Sequence, residues 1–283
     1  MSRKRATAFV FVSAVALASL NPQQLPKVLG ARAHDAGVRH LSAGRNREAA
    51  ASFRQSTFFR PGHARSHVDL GDALLRMKDY EGAGASFRRA LRLEEESCAF
   101  CGLGAVYYQT GRYEEAERAF RRAEELSPTD ECAYDWSGRM YYDLERYAEA
   151  AAAFEHEVKL LPRAVPPLHF LANSYGHLGR QEEAAQIYLK IISIRPDHED
   201  AHYQLGVAYD RLKRYRDAVA SYRRALELRP KDCRALAGLA LAHDALGERR
   251  DALALHERVK SLNPELAAEL LQRLGRPAPE GRR

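Results

Sequence analysis

The sequence has few of the patterns on which catalysis usually depends. Its glycines are spread singly, so it has no glycine-rich loop of the kind that cradles a phosphate. No set of serine, histidine and aspartate suggests a nucleophilic triad. The apolar, uncharged run at residues 6–20 is shorter than the roughly 20 residues with which a helix crosses a bilayer. We therefore predict no catalytic residues and no cofactor.

The body of the chain has little net positive charge, because its basic and acidic residues nearly balance. The net charge is +6, and residues 3–5 supply three of these charges. The tail supplies another three, from Arg273, Arg276, Arg282 and Arg283 against Glu280. The body between them is close to neutral and lacks the clustered basic face that phosphate binding requires. We predict no nucleic-acid partner.

The first residues have the order of an export signal. Residues 1–5 are basic, residues 6–20 are apolar, and Ala16-Leu17-Ala18 offers a small-x-small cleavage site before Ser19. We predict a signal peptide or N-terminal anchor at residues 1–18 and a linker at residues 19–29. The protein would then be exported, periplasmic or extracellular. If the segment is not cleaved, it would anchor the protein to a membrane.

One pattern returns along most of the chain in steps of 34 residues, with a single step of 33. The alanine column is Ala49, Ala83, Ala116, Ala150, Ala184, Ala218 and Ala252. A small residue, a ring side chain and a proline recur along the chain with the same step. In one repeat these residues are Gly138, Phe154 and Pro162. Such a period is typical of a repeat architecture.

Each repeat has the pattern of a helical hairpin. In residues 201–230, apolar side chains fall at helical spacing in two runs that include Tyr209 and Tyr222. Small residues at Gly206 and Ala218 would let the two helices approach closely. Pro230 ends the second helix because it lacks an amide donor. One hairpin cannot bury its apolar face, so several must stack.

These columns resemble the tetratricopeptide repeat, which combines an aromatic, Leu-Gly, Tyr, Ala, an aromatic and Pro. The resemblance implies an all-α fold, a right-handed superhelical solenoid of about seven helix-turn-helix repeats with a C-terminal cap helix. We place the repeats at residues 30–63, 64–96, 97–130, 131–164, 165–198, 199–232 and 233–264. Residues 265–275 are predicted to form the cap helix and residues 276–283 a basic tail.

The resemblance implies that the first helix of each repeat lines a concave groove. Tyr107, Tyr141, Tyr175 and Tyr209 fall in the core column, and we interpret them as packing residues. The adjacent columns are rich in aromatic and hydrogen-bonding groups, which are enriched where peptides anchor. The predicted groove residues are Tyr108, Asp135, Trp136, Arg139, Tyr142, His169, Phe170, Asn173, Tyr203, Gln204 and Asp210. For Trp136 and Phe170, packing between repeats is the alternative.

We predict a non-enzymatic scaffold whose groove binds a peptide or a segment of a partner protein. A preorganised groove lowers the ordering cost of capturing that segment. Some members of the family hold an acidic tail with a clamp of lysine, asparagine and arginine. The partial matches here are His169, Asn173, Gln204 and Arg234, but Gly238 stands where a cation is needed. Alternatives are an accessory thiol protein and a membrane-anchored assembly factor, and the oligomeric state is open.

Two motifs suggest further chemistry. Cys98 and Cys101 are a candidate redox pair, because a helix N-terminus lowers thiol pKa values. Cys132 shares the column of Cys98, which predicts a spacing of roughly 8–10 Å, beyond disulfide reach. Residues 198–202 match the HExxH zinc pattern but straddle the junction after Pro196 instead of lying within one helix. We predict no metal site there.

Overall fold

The regular secondary structure is entirely helical. A computed structural model describes residues 21 and 23–274, which contain 15 helices and no strand. The all-α prediction is therefore confirmed. The chain divides into two compact units, with unit 1 ending at Ser137 and unit 2 beginning at Gly138. The predicted signal and basic tail lie outside the described residues.

Unit 1 contains three helix pairs and the first part of a seventh helix. The helices are α1 (Leu25–Ser42), α2 (Asn46–Phe59), α3 (Ala64–Arg76), α4 (Tyr80–Leu91), α5 (Ser97–Gln109), α6 (Tyr113–Leu126) and α7 (Glu131–Asp143). Because α1 begins at Leu25, the prediction of a linker to residue 29 is wrong from that point onward. Pro26 lies in the first turn, where its missing amide donor costs nothing.

Unit 2 contains the rest of α7 and eight further helices. They are α8 (Tyr147–Leu160), α9 (Val165–His177), α10 (Gln181–Ile194), α11 (Glu199–Arg211), α12 (Tyr215–Leu228), α13 (Cys233–Ala245), α14 (Arg249–Leu262) and α15 (Pro264–Leu274). The last helix lies where the sequence predicts a cap. Its buried face, which includes Leu270 and Leu274, joins the apolar cluster formed with α13 and α14.

The small-residue and ring columns meet inside the helix pairs. A Cβ added at Gly104 would lie 2.5 Å from the ring of Phe120, and one at Gly138 would lie 2.8 Å from the ring of Phe154. Both rings are almost completely buried. Any larger side chain would force the two helices apart, so the close approach expected from the sequence is present.

The turn within a pair is held by an arginine at the start of the second helix. The guanidinium of Arg180 lies 4.0 Å from the ring centroid of Tyr175, and its Nε donates to Glu183 at 3.0 Å. Cation–π contacts of this kind favour a fixed packing role for the ring. The same contact recurs at Arg112 on Tyr107, Arg146 on Tyr141 and Arg214 on Tyr209. These four tyrosines therefore pack as the core column predicts.

Candidate functional site

The first helices carry all the predicted groove residues, and every one of these residues is partly exposed. Tyr108 lies on α5; Asp135, Trp136, Arg139 and Tyr142 on α7; His169, Phe170 and Asn173 on α9; and Tyr203, Gln204 and Asp210 on α11. We call the surface formed by these first helices, within either unit, the first-helix face. The residues on it have different neighbours, and those neighbours separate binding positions from packing positions.

In unit 2, the first-helix face contains a cleft of about 330 Å³, which we call the unit 2 cleft. Four predicted residues border it: Tyr142, Asn173, Tyr203 and Gln204. Five further polar residues border it that the groove columns did not predict: His177, Gln181, Tyr188, Arg211 and Arg234, the last of which the sequence suggested only for the clamp. Gln181 and Tyr188 belong to α10, the second helix of its pair. The prediction considered only first helices, so it could not find them.

Asn173 is held in place by hydrogen bonds on both sides of its amide. The hydroxyl of Tyr188 donates to its Oδ1 at 2.5 Å, and its Nδ2 lies 3.2 Å from Nδ1 of His169. Burial lowers the pKa of His169, and the neighbouring His198 lowers it further. The ring is therefore neutral at pH 7, and its Nδ1 can accept from Asn173. This chain of bonds preorganises one wall of the unit 2 cleft.

The unit 2 cleft presents basic groups and hydrogen-bond donors. None of its lining residues is acidic, and both Arg211 and Arg234 contribute to it. Arg211 donates to the carbonyl of Gly176 at 2.9 Å. Arg234 lies 4.8 Å from the ring centroid of Tyr203 and donates to Asp232 at 3.1 Å.

The tyrosine hydroxyls of this cleft remain protonated at neutral pH. Burial raises the pKa of Tyr142, Tyr188 and Tyr203 above the ordinary value for a phenol. Each hydroxyl can therefore donate one hydrogen bond, and that of Tyr188 is already given to Asn173. The hydroxyls of Tyr142 and Tyr203, together with the two arginines, favour a ligand that offers carbonyl and carboxylate oxygens.

Phe170 is a packing residue. Its ring stacks on the buried ring of Phe154, with centroids 5.1 Å apart and an interplanar angle of 11°. The guanidinium of Arg139 covers it at 5.2 Å. Phe170, Arg139, His169 and Asp210 do not border the unit 2 cleft. The alternative of packing between repeats therefore describes Phe170 better than a binding role.

The remaining predicted residues lie in unit 1. The rings of Tyr108 and Trp136 meet edge to face, with centroids 6.1 Å apart. Trp136 also packs against the cluster of Cys101 and Ala133 and borders a cavity of about 460 Å³, which we call the unit 1 cavity. Tyr108 and Asp135 lie outside the lining of that cavity.

The prediction that Cys98 and Cys101 form a redox pair is wrong. Cys101 forms a disulfide with Cys132, and their Cα atoms lie 6.4 Å apart. Cys101 lies one turn after Cys98, and from there its side chain reaches the start of α7. Cys98 is a free thiol with an exposed surface, and partial desolvation of its sulfur together with the charge of Asp130 raises its pKa. The lowered thiol pKa expected at the helix N-terminus is therefore not found.

The two histidines of the HExxH match have structural partners. Nδ1 of His198 accepts from the amide of Ala201 at 3.2 Å and so caps α11. Nε2 of His202 lies 2.9 Å from the carbonyl oxygen of Pro196. These contacts agree with the interpretation of the motif as a repeat junction.

The missing cation of the clamp has a steric cause. A Cβ added at Gly238 would lie 2.6 Å from the ring of Tyr222. A side chain at this position would displace that ring, so no clamp cation fits.

Within the described residues, no helix is long and apolar enough to span a membrane.

The fold defines a helical-repeat protein, and the first-helix face of unit 2 contains a recess. Models of the tetratricopeptide repeat match residues 62–129, 165–198, 199–232 and 235–282. The chain belongs to the tetratricopeptide repeat family. Proteins of this family act as scaffolds for protein–protein interactions.

The chain is similar to several known proteins. It is 40% identical over 65 residues to Superkiller protein 3 of Schizosaccharomyces pombe, a match that covers 23% of this chain and 5% of that protein. The C-terminal part of a repeat protein from Cytophaga hutchinsonii has a TM-score of 0.69 at 14% identity, covering 83% of this chain and 98% of its own. YrrB, described as having an unusual peptide-binding site, has a TM-score of 0.59 at 23% identity, covering 66% and 97%. These two structural similarities support the fold of the chain and nothing beyond it.

Proposed function

We propose that this protein is a non-enzymatic scaffold that binds an extended peptide segment of a partner in the unit 2 cleft. The observation that carries the proposal is the lining itself, in which Tyr142, Asn173, Tyr203, Gln204 and Arg211 meet around one recess without an acidic residue. A peptide backbone supplies the carbonyl acceptors that these donors require. An acidic side chain of the peptide would pair with Arg211.

Two further points support a peptide ligand. YrrB, which shares the fold, is described as having a peptide-binding site. Asn173 is fixed before binding by Tyr188 and His169, so less side-chain freedom is lost when the ligand binds.

The test begins with selection of peptides from a random display library by the protein. The Kd of an enriched peptide is then measured by fluorescence anisotropy for wild type, Arg211→Gln and Tyr203→Phe. Each variant removes donors while keeping the bulk of the side chain, and we expect about tenfold weaker binding for each.

Arg224→Gln is the matched control, because Arg224 is an exposed arginine of α12 that pairs with Glu227 and does not border the cleft. Equal affinity for wild type and both cleft variants would exclude the unit 2 cleft as the binding site.

We also propose export. The N-terminal pattern of residues 1–18 supports it, and so does the disulfide between Cys101 and Cys132, since such bonds persist in oxidising compartments. Mass spectrometry of the protein from its native cells should give a chain that begins at Ser19. A retained N-terminus would favour the membrane-anchored alternative, and a reduced protein in the cytosol would contradict export.

A further inference from the structure

The unit 1 cavity differs in character from the unit 2 cleft. An acidic side chain, Asp72, contributes to its wall, together with the apolar side chain of Leu75 and the rings of Tyr80 and Trp136. Cys132 of the disulfide completes part of the same wall. The cavity therefore combines one carboxylate with apolar and aromatic surface.

Asp72 has no counter-charge within bonding distance. It lies one turn after Asp69, which is already engaged by His34 at 2.7 Å and by Arg65 at 3.0 Å. In the described part of the chain, Asp72 itself forms no hydrogen bond and no ion pair. A partly buried carboxylate without a hydrogen-bond or ion-pair partner is unfavourable, because it has lost part of its hydration and forms no bond in exchange.

We infer that the unit 1 cavity binds a basic side chain, a lysine or an arginine, of a partner peptide. The cation would pair with Asp72, and the aliphatic stem would pack on Leu75. The rings of Trp136 and Tyr80 add the aromatic faces that attract cations. The inference rests on the proposed function only in taking the ligand to be a peptide.

Two basic residues at the cavity, Arg76 and Lys78, do not remove this preference. Both are exposed, so solvent and salt screen their charges. Asp72 is more deeply placed than either, and a cation that reaches it would relieve a carboxylate that neither of them pairs with.

The charges around Asp72 predict how binding depends on pH. The pKa of Asp72 is raised to about 6, chiefly by burial and next by the charge of Asp69, while Arg76 and Arg65 oppose the rise. Across the helix packing, Cys98 of α5 is the other titratable group that Asp72 influences. A bound cation favours the ionised carboxylate, so affinity should be highest above pH 6 and should fall as the pH drops through 6.

The protein contains a single tryptophan, and it lines this cavity as Trp136. Its fluorescence therefore reports on unit 1 without a signal from the unit 2 cleft. The probes are N-acetyl-lysine amide and N-acetyl-arginine amide, and the neutral comparison is the lysine probe acetylated on its ε-nitrogen. We expect a saturable change with both cationic probes at pH 7.5 and none with the neutral one.

The Asp72→Asn variant should weaken binding of the cationic probes by about tenfold or more, because the isosteric amide removes only the charge. Asp244→Asn is the matched control, since Asp244 is a partly buried carboxylate of unit 2 that borders neither recess and is not a predicted groove residue. Circular dichroism should give the same helicity for both variants and wild type.

An equal response to the neutral probe, or an undiminished response in Asp72→Asn, would overturn the inference. Absence of any saturable response to the cationic probes would also overturn it. These outcomes leave the affinity of the selected peptide for the unit 2 cleft as a separate measurement, so either proposal can fail alone.

Discussion

Residues that share one column of the repeat can have different neighbours. Gln204 borders the unit 2 cleft, whereas Phe170, which lies 34 residues earlier in the same column, stacks on Phe154. The period predicts the face on which a side chain lies. It does not predict whether that side chain is large and apolar enough to fill the gap against the preceding pair. The sequence therefore placed both residues on the right face but could not assign their roles.

This difference predicts opposite effects of two substitutions. Phe170→Ala removes a stacked, partly buried ring, so the free energy of unfolding should fall by about 2 kcal/mol, with little change in the Kd of the selected peptide. Gln204→Ala should weaken peptide binding and leave the urea midpoint almost unchanged. The assignment of roles fails if Phe170→Ala weakens binding without lowering the midpoint.

The cysteines show a second limit at this scale. Cys98 and Cys132 occupy the same position in successive repeats. The cysteine that is bonded to Cys132, however, is Cys101, one helical turn after Cys98. The side chain of Cys101 is directed toward the neighbouring helix pair, so its sulfur can bond to that of Cys132. Periodicity alone contains no information about that direction.

At the scale of elements, the turns within helix pairs all require a left-handed residue. Four of them use glycine, at Gly44, Gly111, Gly179 and Gly247, whereas Lys78, Glu145 and Lys213 adopt positive φ at the other three. A non-glycine residue in this conformation is strained by roughly 1–2 kcal/mol. The helix boundaries follow from these turns and from the proline that ends every repeat except the second, where Glu95 stands.

Lys213→Gly should therefore raise the free energy of unfolding by about 0.5–1 kcal/mol, because it removes strain at a φ of 59°. Gly179→Ala should lower it by about 1 kcal/mol, since alanine would adopt the strained φ of 77°. Urea denaturation followed by circular dichroism measures both. Shifts of the same sign in the two variants would contradict this explanation of the turns.

The disulfide links α5 to α7 across 31 residues of sequence. Closing a loop of this length should stabilise unit 1 by about 2–4 kcal/mol, mainly by restricting the unfolded chain. Reduction with a phosphine should lower the thermal midpoint of wild type and of Cys98→Ser alike, because Cys98 is not in the bond. The double variant Cys101→Ser, Cys132→Ser should not respond. A wild-type midpoint that is insensitive to reduction would exclude a stabilising bond.

At the scale of the whole molecule, the sequence predicts the fold class and the repeat family because both follow from a period that covers most of the chain. The recesses could not be predicted in the same way. The unit 2 cleft depends on Gln181 and Tyr188 of a second helix, and the unit 1 cavity depends on Asp72, in a repeat where no groove residue was predicted. Each recess is formed by side chains from several helices, and their sizes set its shape.

The two recesses also differ in charge. Basic groups line the unit 2 cleft, and an unpaired carboxylate lines the unit 1 cavity. We therefore expect selected peptides that bind in the unit 2 cleft to carry acidic residues, and peptides that bind in the unit 1 cavity to carry basic residues.

Site-specific photo-crosslinking in the native cells can decide whether a partner binds in the unit 2 cleft. A benzophenone amino acid is introduced at Gln204 in the unit 2 cleft or at Arg224 on α12. We expect a crosslinked partner from position 204, which is lost when Arg211→Gln is added, and little or none from position 224. A partner that crosslinks equally from both positions, or only from position 224, would contradict binding in the cleft.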